Sequence, residues 1–426
     1  MFNFSANLVQ ARRHLCVHME AVVMRISDQS IHQILSLPEH KKSNSGKTCP
    51  PASALPCVEP LTKKSEGFVE PKPYRILQNI RKISTNTHRN AAIDKHDSLW
   101  TWGAVSMASY TDNNVLVDDG KKKYYSNDVH FTNDISQETL YIPMKVIGNI
   151  SSVSAGEWHY MCVTNEGKLY GWGENKHGEL GLGDYENRYT PCLIRESVRS
   201  VSSGSGSTYF STDSDRLYRC GKQVIINHND VVVRKDSTPV FFLSDIVILS
   251  ASATVYLAIN SRGELFGWGD NTMGIIYSKQ TRAFYNSPVH IADDVKSVSM
   301  SPFGGYGFVQ DHSGGLYAIG VSGYGSSISY KDRKKHGFSP IKILENVAGV
   351  STGNNFTLVW LNDGRLFSFG ENWAGQCGTG KVTPPIKKPR LIMENVIEAA
   401  AGHFHGTALQ ENGDLWIWGG DYGVSV

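Results

Sequence analysis

Residues 168–194 read KLYGWGENKHGELGLGDYENRYTPCLI, and this stretch decides the fold because its parts recur along the chain. At its centre is the five-residue run Leu169–Gly173. Runs of the same pattern begin at Leu99, Leu217, Leu265, Leu316, Leu366 and Leu415. A proline precedes the leucine by 26 residues in six copies and by 28 in the fifth. Seven copies at a period of about 50 residues indicate a repeat protein, in which each small unit buries its apolar face against its neighbours.

The sixth copy shows what one unit contains. Ile341–Leu344 follows a proline, residues 347–351 follow an Asn turn, and Phe356–Leu361 and Leu366–Gly370 flank an Asp-Gly turn. Four short runs of apolar and β-branched residues separated by turn residues predict a four-stranded antiparallel blade. Seven blades predict an all-β, seven-bladed β-propeller. The recurring motif glycine is expected where φ is positive or where one chain segment crowds another.

The repeat pattern resembles that of the regulator of chromosome condensation family. It runs V-x-x-V-x-x-G-x-x-H-x-x-x-L and then G-x-L-Y-x-W-G-x-N-x-x-G-x-L-G-x-G, and residues 153–183 and 396–419 match it best. The resemblance covers residues 73–426. Some copies depart from the pattern: Cys220 and Ile319 replace the motif Trp, and Arg89 stands at the His place of the first copy. The family implies the same propeller fold, with the proline strand outermost in each blade.

The seventh motif run ends at Gly419, and no proline strand follows it before Val426. Residues 73–77, Pro-Tyr-Arg-Ile-Leu, have the pattern of that absent strand. We therefore predict that the last blade combines three strands from the C-terminal part of the chain with one N-terminal strand, which removes two exposed sheet edges. The alternative is seven self-contained blades that merely touch at the seam.

Residues 1–70 do not share the repeat. Their scattered apolar positions and proline-broken polar stretch predict a weakly ordered extension with one docked helix, preceding a propeller domain over residues 71–426. Arg12 and Arg13, with no acidic residue among the first 19 residues, are a feature of organelle-targeting peptides, but the serine-rich composition of such peptides is absent. A cytoplasmic location is therefore the expectation.

The stretch between the first motif run and the next proline is about twenty residues longer than its counterparts. Within this insertion, residues 104–142, an Asp-Gly turn lies between residues 115–117 and 121–125 and predicts a hairpin. Loops on a rigid scaffold often carry binding, so this hairpin is the first candidate for a partner-binding surface. Candidate contact residues there are Asp118, Asp119, Lys121, Lys122, Lys123, Tyr124 and Tyr125. Elsewhere, Trp158 and Trp373 lie off the motif strand, and His159 and His405 occupy the consensus His position; these four complete the candidate set.

Two other fragments resemble parts of a phosphate-binding loop and of a metal site, but both are incomplete. Residues 45–48, Ser-Gly-Lys-Thr, lack the upstream glycine and the strand–helix context of a phosphate-binding loop. His403 and His405 alternate along a strand as metal ligands do, but no third ligand is visible, and the second of them is the consensus His, which would serve as well for hydrogen bonding between blades. We therefore expect no metal, no cofactor and no enzymatic activity.

The sequence thus favours a non-catalytic scaffold that binds another protein through one propeller face and the insertion. The net charge of +2 selects neither nucleic acid nor membrane as a partner, and a monomer is expected. The alternative, implied by the family resemblance, is guanine-nucleotide exchange on a Ran-like small GTPase, since the founding member of the family presses a hairpin wedge into such a protein. Exchange needs only tighter binding of the nucleotide-free GTPase, and Asp118 and Asp119 could displace its phosphate and Mg²⁺ contacts.

Overall fold

The structure is a computed structural model and describes one compact unit of the chain. The described residues are 69–87, 89–103, 117–118, 123–124, 143–227, 230–252, 254–276, 284–302, 305–321, 323–337 and 339–420. The expected extension, up to residue 68, and most of the insertion lie outside them. The domain boundary at residue 70 therefore stays a prediction.

Seven four-stranded antiparallel sheets form the blades of a propeller, which confirms the predicted fold class. From the first strand outward, blades 1 to 3 are Ile80–Asn86, Arg89–Asp94, Leu99–Gly103 and Met144–Ile147; Ile150–Ala155, His159–Thr164, Leu169–Gly173 and Arg188–Arg195; and Val198–Ser203, Ser207–Thr212, Arg216–Asn227 and Asp230–Ser244. Blades 4 to 6 are Ile246–Ala251, Val255–Asn260, Leu265–Asp270 and Phe284–Ala292; Val295–Met300, Tyr306–Asp311, Leu316–Gly320 and Ile341–Leu344; and Val347–Thr352, Phe356–Leu361, Leu366–Gly370 and Ile386–Met393. Blade 7 contains Val396–Ala401, His405–Gln410, Leu415–Gly420 and, as its fourth strand, Val69–Leu77.

Blade 7 closes the ring in the predicted way, with three C-terminal strands and one N-terminal strand. The N-terminal strand Val69–Leu77, here called the closing strand, pairs antiparallel with the motif strand from Val69 opposite Gly420 to Leu77 opposite Leu415. Arg75 forms an ion pair with Asp414 across this seam at 3.2 Å. The alternative of seven self-contained blades is therefore wrong.

Serine side chains link the first strands of neighbouring blades. Each accepts a hydrogen bond from a backbone N–H of the next blade, with N···O distances between 2.8 and 3.2 Å. The serines are Ser84, Ser154, Ser250, Ser299 and Ser351. Such bonds satisfy backbone donors between sheets, where no strand pairing is available. The first strands therefore form the inner ring of the propeller.

Hydrophobic side chains fill the space between blades. Between blades 1 and 2, for example, Ala91 and Ile93 pack with Tyr160 and Trp172, and the last two rings stack with centroids 5.4 Å apart. The motif Trp is thus a core residue, as its recurrence in the strand pattern predicts. These cores hold the sheets at fixed angles, so the loops at the strand ends project from a rigid body.

The turns that join one blade to the next are short and conformationally demanding. Each has an Asn, Asp or Ser with φ between 57° and 63°, a region that these residues tolerate better than most. The residues are Asn79, Asn149, Ser197, Asp245, Asp294, Asn346 and Asn395. Tight turns of this kind leave little chain to project from their end of the ring.

Two elements were not predicted. In blade 3 the last two strands continue past the ring as an antiparallel ribbon, with Lys222 opposite Lys235 and Asn227 opposite Asp230. We call residues 222–235 the blade-3 ribbon. In blade 5 a short helix, Tyr330–His336, follows Ser329, whose hydroxyl accepts a hydrogen bond from the Asp332 N–H as an N-cap. The insertion is therefore not the only excursion from the ring.

Glu398, on the first strand of blade 7, gives a pH-dependence prediction. Burial raises the pKa of Glu398 to about 7, although Lys82 and a hydrogen bond from the Ile83 N–H oppose the shift. The folded state therefore holds this proton more tightly than the unfolded state, and the resulting stability is lost as pH rises towards 7. Relative to Glu398→Gln, the free energy of unfolding of the wild type should fall by up to about 1.4 kcal/mol per pH unit between pH 5 and 7. Urea unfolding at several pH values tests this, and parallel curves for the two proteins would contradict it.

Candidate functional site

The two ends of the propeller differ in how much chain they carry. One end, the loop face, carries the connections from the first to the second strand and from the third to the fourth strand of each blade. Among the latter are residues 174–187, 271–283, 321–340 and 371–385. The opposite end, the turn face, carries the tight turns between blades and between the second and third strands. The insertion connects Gly103 with Met144 and therefore also leaves from the loop face.

Exposed apolar side chains concentrate on the loop face. Among the described residues, ten large hydrophobic side chains are exposed, and six of them lie on its loops or on the blade-3 ribbon. The six are Trp158, Tyr185, Val233, Tyr324, Trp373 and Val382. Four of these are aromatic, and Trp and Tyr are enriched at the energetic centres of protein interfaces. The loop face therefore has the composition of a protein-binding surface.

Trp373 is held on a rigid loop. It is 59% exposed, but the adjoining Asn372 is fully buried. The Asn372 amide donates to the Lys381 carbonyl at 2.8 Å and its carbonyl oxygen accepts from the Cys377 N–H at 2.9 Å, so both ends of the loop are tied together. The next residue, Ala374, donates its N–H to Gln376 at 2.9 Å. An exposed indole on an ordered backbone loses little entropy on binding, which makes it a good anchor for a partner.

Blade 2 has a loop of the same construction. Asn175 is fully buried, donates to Asp184 and accepts from the Leu180 N–H at 2.9 Å, and the loop presents Tyr185, which is half exposed. These loops also bridge blades: Cα of Ser237 in blade 3 lies 2.5 Å from where a Cβ on Gly178 would be. Only glycine permits this contact. The recurrent Asn and Gly residues of the motif thus fix the shape of the loop face.

The predicted contact residues fall into three groups: two exposed tryptophans, the residues of the insertion, and two histidines. Trp158 and Trp373 are 39% and 59% exposed and both lie on the loop face, in different blades. Of the insertion, the structure describes only Val117–Asp118 and Lys123–Tyr124, which pair antiparallel with Val117 opposite Tyr124. Asp119, Lys121, Lys122 and Tyr125 lie outside the described residues. Contact of any of these residues with a partner stays a prediction.

His159 and His405 require a correction. They are 0% and 5% exposed and each is hydrogen-bonded to the next blade, so neither imidazole is available to a partner in this structure. Nε2 of His159 is 2.8 Å from the hydroxyl of Thr208, and Nε2 of His405 is 2.9 Å from the amide oxygen of Asn90; each bond joins one blade to the next. Burial, with the nearby Arg89 charge, lowers the pKa of His159 to about 3, so this ring is neutral. Both histidines are structural links between blades.

The blade-3 ribbon adds positive charge to the loop face. Lys222 and Lys235 lie opposite each other at its base. Desolvation is the main cause that lowers the pKa of His177 in the neighbouring loop, and the charges of both lysines lower it further. Arg234 is held by an ion pair with Asp236 at 2.9 Å, and Asp236 also pairs with the buried Arg219 at 3.0 Å. The ribbon is therefore anchored at its base by a charge network.

Arg89 is a buried cation on the same side of the ring. It occupies the position that His159 and His405 hold in their blades, and it lies opposite Gly103, where the insertion begins. Its side chain is 1% exposed, and its Nε, Nη1 and Nη2 have no hydrogen-bond partner among the described residues. The guanidinium carbon lies 5.3 Å from the centre of the Tyr160 ring and 5.8 Å from that of the Trp158 ring. Burial lowers the pKa of Arg89.

The described part of the chain contains no group of three His, Cys, Asp or Glu side chains that could hold a metal ion. Nor is any helix within the described ranges long and apolar enough to cross a membrane.

Comparison with known proteins supports the repeat assignment. The family model described as "Regulator of chromosome condensation (RCC1) repeat" matches residues 166–210 and 363–409, and a second model of the same description matches residues 150–179. The ultraviolet-B receptor UVR8 of Arabidopsis thaliana is 24% identical over 290 residues, which cover 65% of this chain and 55% of the receptor. The X-linked retinitis pigmentosa GTPase regulator of Mus musculus is 27% identical over 287 residues, which cover 63% of this chain and 28% of that protein.

Among solved structures, that of Prp20p from Saccharomyces cerevisiae, whose title mentions binding to Gsp1p and histones, superposes with a TM-score of 0.60 and 15% identity. The superposition covers 81% of this chain and 83% of that one, and at this identity it supports the fold alone. This chain spans about half the length of the UVR8 receptor and about a quarter of the GTPase regulator.

Proposed function

This chain belongs to the regulator of chromosome condensation repeat family, and we propose that it is a non-catalytic scaffold that binds a partner protein through its loop face. The observation that carries the proposal is the concentration of exposed aromatic side chains there, two of which, Tyr185 and Trp373, lie on loops held rigid by a buried Asn. The turn face lacks comparable loops in the described part of the chain. The insertion starts and ends at the loop face and is included in the proposed surface.

Some relatives support a protein partner by their descriptions. One relative is described as a GTPase regulator, and the structure of Prp20p was determined with a study of its binding to Gsp1p and histones. Both descriptions name another protein as what is regulated or bound, which supports a protein partner for this chain. A rigid ring needs no moving parts for this role, because its binding surface is already formed in the free protein.

Substitution of Trp373 should separate binding from folding. We expect Trp373→Ala to weaken binding of a captured partner at least tenfold, since removal of a central interface Trp commonly costs 2 kcal/mol or more, on the order of 30-fold. The unfolding midpoint should stay unchanged, because the indole is mostly in solvent. Affinity capture with quantitative mass spectrometry, followed by titration of the purified partner, measures both effects.

Leu391→Ala is the matched control. Leu391 lies in the same blade, on the outer strand, and is 44% exposed, so its loss removes a comparable apolar surface away from the loop face. Equal loss of binding in both variants, or no loss in either, would count against the loop face as the binding surface.

Nucleotide exchange on a small GTPase is the second candidate. It is supported by the blade-3 ribbon, a protruding hairpin anchored by the Arg219–Asp236 ion pair, and by the description of one relative as a GTPase regulator. An exchange factor must bind the nucleotide-free GTPase better than the loaded form. Release of labelled guanine nucleotide from a panel of small GTPases tests this candidate, and unchanged release from every GTPase would contradict it. Acceleration that survives replacement of residues 222–235 by a two-residue turn would contradict the role of the ribbon.

A further inference from the structure

Arg89 lacks the link between blades that its counterparts make. At the same position of blades 2 and 7, His159 and His405 bond to Thr208 and Asn90, which are each the second residue of the next blade's second strand. The corresponding residue opposite Arg89 is Tyr160. It presents a ring to the guanidinium and directs its own hydroxyl towards the Trp102 carbonyl, 3.4 Å away. The local partner that the fold supplies elsewhere is therefore replaced by an aromatic surface.

A buried guanidinium without hydrogen bonds is costly to maintain. Its five N–H donors lose water on folding and, among the residues that the structure describes, gain no hydrogen bond and lie near the rings of Tyr160 and Trp158. Neighbouring carboxylates attract this charge but form no hydrogen bond with it: Glu174 pairs with Lys176 at 2.9 Å, and Glu157 accepts from the Ser205 hydroxyl. Sites that keep such an unsatisfied polar group commonly serve a ligand that completes it.

We propose that Arg89, flanked by Tyr160 and Trp158, binds a carboxylate side chain of the partner protein. A planar carboxylate can accept two parallel hydrogen bonds from the guanidinium fork. The two rings, whose centres lie within 6 Å of the guanidinium carbon, help to exclude water from the pair. Arg89 itself is 1% exposed, so an acidic side chain reaches it only where the Trp158 side chain, which is 39% exposed, turns aside at the loop face. The inference rests on the proposed function, since it names the chemistry of one contact of the same surface.

The surroundings favour a singly charged carboxylate over a phosphate group. Glu157 and Glu174 lie close enough to act electrostatically on Arg89, and they repel a second negative charge. A phosphate would carry nearly two negative charges at neutral pH. The aromatic walls also suit a flat ligand. An Asp or Glu side chain of the partner is therefore the ligand that fits this cluster.

Replacement of Arg89 in the free protein distinguishes a binding residue from a structural one. Arg89→Met keeps the length and apolar contacts of the side chain and removes the unpaired charge. Its unfolding temperature should equal or exceed that of the wild type, because a buried cation without a partner stabilises nothing. A lower unfolding temperature than the wild type would show that Arg89 is satisfied within the chain and would overturn the inference.

A small-molecule titration tests the ligand directly. N-acetyl-glutamate N-methylamide at millimolar concentration should raise the unfolding temperature of the wild type, whereas the glutamine analogue and phosphate at equal ionic strength should not. Arg89→Met should not respond. The control Arg365→Met, which removes an exposed guanidinium that lies over Phe367 and pairs with Asp363, should respond as the wild type does. An equal response of Arg89→Met and the wild type, or a response to phosphate alone, would contradict a carboxylate site.

Measuring partner binding distinguishes a failure of this inference from a failure of the proposed function on which it rests. Arg89→Met should weaken binding of a captured partner at least tenfold. If Trp373→Ala weakens binding and Arg89→Met does not, the loop face is the binding surface and the carboxylate contact is wrong. If neither variant weakens binding, the proposed function itself fails.

Discussion

A protein that begins at residue 79, and so lacks the closing strand, should be less stable than the full chain by more than about 4 kcal/mol. The strand supplies the fourth position of blade 7 and pairs with Leu415–Gly420 along the seam. Its Ile76 and Leu77 pack against a core that contains Ile80, Trp102 and Leu415. Removal exposes this core and the unpaired edge of the motif strand, and we expect aggregation as well as lost stability.

Urea unfolding and size-exclusion chromatography measure the two effects of this truncation. The control is a protein that begins at residue 69 and keeps the closing strand; it should unfold at the same urea concentration as the full chain. A synthetic peptide of residues 69–78, added to the shorter protein, should restore part of the stability. Unchanged stability of the shorter protein would show that the seam contributes nothing and would contradict closure by this strand.

Gly370→Ala should have the second large effect, a loss of more than about 3 kcal/mol in the free energy of unfolding. The motif glycine has φ of 118°, and an added Cβ would lie 2.3 Å from the Asn355 carbonyl oxygen and 2.5 Å from the Phe356 Cα. Both atoms belong to the backbone where the paired strand Phe356–Leu361 begins, and they cannot move aside without disturbing the sheet. Unfavourable φ and a steric clash therefore act together.

Gly380→Ala separates these two contributions. Gly380 also has positive φ, 79°, but nothing lies within 4 Å of the added Cβ. It should lose only about 1–2 kcal/mol, the cost of placing a side chain in the left-handed region. Chemical denaturation of both variants gives the comparison. Equal losses would show that backbone conformation alone, and not crowding between strands, requires the motif glycine.

The architecture could be predicted because the repeat marks every blade independently. The prolines lie in or just before the outer strands, as at Pro191 and Pro340, and all seven motif glycines have φ between 86° and 119°. The closing strand was predictable from residues 73–77, because one proline strand was missing at the other end of the repeat array. The spacing of the prolines and motif runs was therefore enough to predict how the ring closes.

The blade-3 ribbon was missed because spacing does not distinguish a coil from a strand. In blades 2 and 3 alike, the next proline follows the motif leucine by 22 positions. In blade 2, Gly178, Gly181 and Gly183 take positive φ and let the chain coil. Blade 3 has no glycine between Gly221 and Pro239, and its β-branched residues instead continue the two strands. The signal was in the composition of the connection, not in its length.

The candidate site depends on contacts between blades, which one repeat cannot reveal. Sequence comparison places Arg89 at a consensus His position but does not show that Tyr160, 71 residues later, replaces the expected hydrogen-bond acceptor. The burial of His159 and His405 has the same origin, since their partners Thr208 and Asn90 belong to other copies. Exposure of Trp158 and Trp373, by contrast, follows from their place in loops outside the strand pattern.

Hydrogen–deuterium exchange of the full chain, alone and with its captured partner, tests the central claim most directly. The predicted result is slower exchange on binding in the loop-face segments 174–187, 321–340 and 371–385, with unchanged exchange in the turns at 165–168, 362–365 and 411–414 of the turn face. Protection confined to those turns, or to the outer strands, would contradict binding through the loop face.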